Sequence, residues 1–177
     1  MTYSLEEFES LLSRTQPVTE ETNIAVLRTW RTELVRASVF ISYAIGVLSL
    51  DQEMIERCVK NPGADHLEML IKELPNVLAK GWVGGGWSLS PDASASVGAA
   101  AEIDESKMEK LLSLHTELIT SDLNDISNLN RLNHQIDQLR LRLITTKEHI
   151  EKNITKLQSV IREKYKDGSA SVDDWLA

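Results

Sequence analysis

LNRLNHQIDQLRLRLITTKEHIEKNITKLQSVIREKYK, Leu129 to Lys166, is the stretch whose reading decides the fold class. Its apolar residues recur in a heptad pattern. Position a is filled by Leu129, Ile136, Leu143, Ile150 and Leu157, and position d by Leu132, Leu139, Thr146, Asn153 and Val160. A seam of this period needs a facing helix, and polar Thr146 and Asn153 would fix its register at some cost in stability. Neither Gly nor Pro occurs between Ala101 and Lys166. As one helix, 129–166 reaches roughly 57 Å at 1.5 Å per residue. A helix of that length has to lie against another long helix, from this chain or from a partner.

A second seam runs earlier in the chain. Leu27, Trp30, Leu34, Ala37, Ile41, Ala44 and Leu48 repeat at alternating spacings of three and four. The half before Arg36 has a polar back, whereas the following Ala37–Leu50 run is apolar nearly all round and needs covering on every side. That run holds 14 residues, short of the ~20 that cross a bilayer, so it reads as a buried core helix. Its polar boundaries are Arg36 and Asp51, and near Ser49 the helix either continues or bends.

Smaller helices flank these. Ser4 and Glu7 have capping-box spacing ahead of Leu5, Phe8, Leu11 and Leu12. Asp65 and Glu68 repeat that spacing before a stripe from Leu67 to Leu78, which Pro75 should kink or restart. Ser106 and Glu109 begin a further helix through Ile119, and the poor helix formers of Thr120–Asp125 predict a turn or a stutter. Residues 81–101 hold five of the eight glycines and no Lys, Arg or Glu. They read as a Gly/Ser/Ala linker between an N-terminal helical region, 1–80, and a C-terminal coiled-coil arm, 102–166. An acidic-aromatic tail, 167–177, follows. The expected fold is all-α: an elongated bundle or hairpin of long coiled-coil-like helices.

With aromatics at 5% and Gly and Pro clustered, a β-sandwich or barrel is excluded. Cys58 is the single cysteine, so no internal disulfide forms. The acidic start, MTYSLEEFES, is not a secretory leader, and the chain reads as intracellular, cytoplasmic or nuclear. Net charge is −8 but unevenly spread. Residues 1–127 carry 10 basic and 20 acidic side chains, 128–166 nine and four, and 167–177 three acids without a base.

No catalytic, cofactor-binding or metal-ligating set emerges. His66, His115, His134 and His149 lack ligand spacing and read as polar surface or boundary residues. Gly84-Gly85-Gly86 lacks the strand and the Lys-Ser/Thr of a phosphate loop. The expected function is therefore a non-enzymatic interaction subunit or adaptor assembling, as homo- or hetero-oligomer, with other helical chains. The seam residues are its helix–helix contacts: Leu27, Trp30, Leu34, Ile41 and Leu48 on one helix, Leu129 through Val160 on the other. The alternative is a nucleic-acid or polyanion-binding protein using the basic face of 128–166.

Ser171 and Asp174 have capping spacing that would group Val172, Trp175 and Leu176. Asp173, Asp174, Trp175 and Leu176 are candidate partner-docking residues, an aromatic anchor beside acids. Trp175→Ala separates docking from self-packing. Docking predicts unchanged thermal stability with loss of a co-purifying partner, and self-packing predicts a lower Tm.

Overall fold

The computed structural model describes residues 3–16, 23–61 and 105–166. All regular structure among them is helical: α1 Leu5–Thr15, α2 Ile24–Lys60, α3 Ser113–Ile119 and α4 Ile126–Lys166, with a 3-10 turn at Glu105–Met108 before α3. The Asp65 and Glu68 pair, the Pro75 kink, the 81–101 linker and the tail lie outside the described residues.

The capping signals at the N-terminus act as their spacing implies. Ser4 Oγ accepts from the Glu7 backbone N–H at 3.3 Å, and Asn23 Oδ1 accepts from Ala25 N–H at the start of α2. α1 buries Leu5, Phe8, Leu11 and Leu12, and Tyr3 stacks between Phe8 and Phe40, at 5.7 and 4.1 Å.

Of the two readings at Ser49, continuation holds: the 37 residues of α2 form one helix. The seam explains this, because its spacing continues past Leu48 through Asp51, Ile55 and Cys58 without a change of phase, and all of these are buried. One expectation is corrected: 106–119 is not one helix. The Lys107 carbonyl accepts from Tyr3 N–H at 2.9 Å, occupying the acceptor that an α-helical Leu111 N–H would use. The segment turns there, and only Ser113–Ile119 is α-helical. The break over Thr120–Asp125 does occur, with Asp122 and Asp125 carboxylates accepting from the N–H groups of Asn124 and Asn128.

The direction of the long helices follows from three sets of contacts. Tyr3 meets Phe40 and Arg14 meets Glu33, so α1 runs against α2. Glu9 meets Arg142 and Thr15 meets Asn153, so α1 runs along α4. α2 and α4 are therefore antiparallel, in a register that puts Gln52 against Asp137 at 3.2 Å. At 37 and 41 residues they extend roughly 55 and 61 Å.

Leu27, Leu34, Ile41 and Leu48 meet Leu129, Leu132, Ile136, Leu143, Ile150 and Leu157 in one hydrophobic core, all at 0–1% exposure. Trp30, Leu139 and Val160 are half-buried against it. The N-terminal region and the C-terminal arm thus share a core within one chain. α2 is long and apolar enough to cross a membrane by length and composition, and 72% of its most apolar stretch is buried inside the structure.

Two leucines on α4 test this assignment. Leu143 is fully buried and Leu141 is 53% exposed. Leu143→Ala should cost about 2–5 kcal/mol by urea denaturation, and Leu141→Ala no more than about 0.5 kcal/mol.

Candidate functional site

The most constrained polar contact in the described fold is between Asp51 and His115. Asp51 sits on the apolar seam of α2, one step beyond Leu48, and is completely buried. His115 comes from α3, where Leu118 anchors the helix at 0% exposure. Its Nδ1 lies 2.8 Å from Asp51 Oδ1 and 2.9 Å from Oδ2. With the carboxylate ionised, both oxygens accept, so Nδ1 carries the hydrogen and Nε2 is the basic nitrogen. His115 is a boundary residue, with a side-chain exposure of 14%, and it holds a buried acid; His134 and His149 are exposed, and His66 lies outside the described residues.

Burial pushes the Asp51 carboxyl above the usual carboxylate range, and the hydrogen bond and charge of His115 pull it part of the way back. Chemically, a carboxylate on Nδ1 orients an imidazole and fixes which of its nitrogens carries the hydrogen. No hydroxyl or thiol among the described residues is hydrogen-bonded to that imidazole. Cys58, two turns along α2, is buried, and burial pushes its thiol up, away from the reactive thiolate. No group of three His, Cys, Asp or Glu among the described residues is placed to hold a metal ion. The arrangement clamps α3 to α2, and Arg131 extends the tie to α4 through Glu117 at 2.6 Å.

The other polar seam positions are also satisfied within the chain. Thr146 Oγ1 donates to the Arg142 carbonyl at 2.8 Å, and Asn153 Nδ2 donates to Thr15 Oγ1 at 3.5 Å. Ser38 and Ser42 differ: their hydroxyls are buried with no hydrogen-bond partner among the described residues. The tail candidates Asp173, Asp174, Trp175 and Leu176 lie outside the described residues. Two surface features were not expected from the sequence. One is a groove of about 530 Å³ beside exposed Leu141, lined by Gln135, Gln138, Leu139 and Arg142. The other, of about 480 Å³, lies on the first turns of α2 and is lined by Arg28, Arg31 and Arg36 with Glu33, Thr29, Thr32 and Ala25.

The fold and the clamp define an all-α protein built on two antiparallel long helices. No family model, characterised protein or solved structure matches the chain.

His115→Ala should cost about 3–5 kcal/mol at neutral pH, because it leaves a carboxylate buried alone. Asp51→Asn in the same chain should restore much of this. Because the native state holds the Asp51 proton more tightly than the unfolded chain does, this group's contribution favours folding in acid and is lost as pH rises through its native value. Asp51→Asn removes that titration and keeps an acceptor for Nδ1–H. Its stability relative to the parent should rise between about pH 4 and pH 7, measured by urea melts; a flat difference contradicts the account.

Proposed function

We propose that this chain is a non-enzymatic helical subunit or adaptor that assembles, with itself or with other helical proteins, into a larger complex. The observation that carries this reading is the α2–α4 pair. A globule of 177 residues has a radius of gyration of about 16 Å, whereas the two helices run roughly 55–61 Å. The inward stripes of α2 and α4 are used on each other, and the exposed face of α4, where Leu141 points outward, is the surface left for a partner.

The nucleic-acid alternative draws on the nine basic residues of 128–166. Five of them already face carboxylates: Arg131, Arg140, Arg142, Lys147 and Lys166 pair with Glu117, Asp137, Glu9, Glu151 and Glu163. A surface of alternating sign suits a protein partner better than a uniformly negative phosphate backbone.

Light scattering on the purified full chain is the direct measurement. A dimer or larger species, or a stoichiometric complex with another helical protein purified from the native source, is the expected result. A monomer with no stoichiometric partner would overturn the proposal.

A further inference from the structure

The outward face of α4 is built symmetrically about one residue. Leu141 projects from it at 53% exposure. Seven residues before it stands His134 and seven after it Glu148, both exposed. A step of seven is close to two helical turns, so the three side chains share one stripe at intervals of roughly 10 Å. Gln138 and Thr145, also exposed, fill the turns between them. The side chains of His134 and Glu148 make no ion pair or hydrogen bond among the described residues.

The neighbouring charges are already answered within the chain. Arg131 pairs with Glu117 at 2.6 Å and Arg142 with Glu9 of α1 at 3.6 Å, and Glu6 of α1 also lies within the field of Arg142. Beside Leu141 runs the groove of about 530 Å³ lined by Gln135, Gln138, Leu139 and Arg142. A projection and a hollow on one face suit an isologous contact, in which a patch meets a copy of itself.

We infer that this face of α4 is the contact between two copies of the chain, paired antiparallel about a two-fold axis at Leu141. Residues equally far before and after Leu141 then face each other. His134 of one copy meets Glu148 of the other, twice over, and each Leu141 enters the groove beside its counterpart. An imidazole N–H donates to a carboxylate whether or not the ring is protonated. The remaining charges fit this register. Lys152 falls level with uncharged Asn130 of the second copy, and the two Arg142 side chains near the axis each keep their own Glu9. A parallel pair would instead set Glu148 against Glu148 and lose both imidazole contacts. With one large apolar side chain from each copy the contact is small, so the dimer is an equilibrium that depends on concentration rather than a permanent species.

This inference rests on the proposed role in assembly and names one partner, a second copy. Sedimentation equilibrium of the full chain across a concentration series measures the association constant. Leu141→Glu places two carboxylates at the axis and should abolish self-association, while circular dichroism and Tm stay unchanged because the position is exposed. His134→Glu opposes like charges at both outer contacts and should weaken association about tenfold. Adding Glu148→Lys to the same chain restores opposite charges there and should recover it, a rescue that only the antiparallel register gives. Self-association that survives Leu141→Glu, or a double variant no tighter than His134→Glu alone, overturns the inference and leaves the assembly proposal standing. A monomer that purifies with another helical protein also removes this contact alone, whereas a monomer without any partner overturns both.

Discussion

The structure depends on the burial of α2. From Val35 to Asp51 nearly every side chain is shielded from water, including small and polar ones. A helix apolar on all sides is unstable until other elements cover it. α4 supplies the longest cover, α1 lies against the first half, and Met108, Leu111 and Leu118 lie in the same core. This explains why α3, only seven residues long, can be helical at all. An isolated segment of that length would not hold a helix in water, and it forms because the core takes Leu118 and Asp51 takes His115.

An apolar seam by itself tolerates displacement by a heptad, since one leucine resembles the next. The polar insertions remove that freedom. Asp51 needs His115, Asn153 reaches Thr15, and Gln52 meets Asp137. Each contact joins different elements, and two of them lie far apart along the rod. Displacing α4 by seven residues, roughly 10 Å, would break the contacts that Asn153 and Asp137 make with the other helices. The buried acid would still require α3 beside α2. Specificity of register, rather than net stability, is what such groups contribute most dependably.

The parts of this fold legible in the sequence are those written as periodicity. The two seams locate α2 and α4 because a helical period of three and four repeats many times over, and the cap at Ser4 marks a start by local hydrogen bonding. The Asp51–His115 clamp joins residues 64 apart in sequence, and no local pattern links them. A signal did exist. Asp51 falls on the next seam position after Leu48, and His115 falls in the stripe of Met108, Leu111, Leu112 and Leu118. A charged and an imidazole side chain, each in phase with a buried stripe, need partners. Reading Asp51 as the polar boundary of an apolar run discarded that phase. The break of 106–119 was less accessible, since it turns on a single backbone bond from Tyr3 to Lys107.

Charge does not explain the pairing direction. In the antiparallel arrangement Arg28, Arg31 and Arg36 share an end with six cations of α4, a repulsive placement, whereas a parallel one would set those cations beside Asp51, Glu53 and Glu56. The observed direction therefore follows packing. Apolar burial is worth about 25 cal/mol per Å² along the whole contact, whereas exposed charges act across water over a Debye length of about 8–10 Å at physiological salt. The described residues carry 17 basic and 16 acidic side chains. The net negative charge of the sequence consequently comes from residues other than the described ones, and the described helices are close to neutral among themselves.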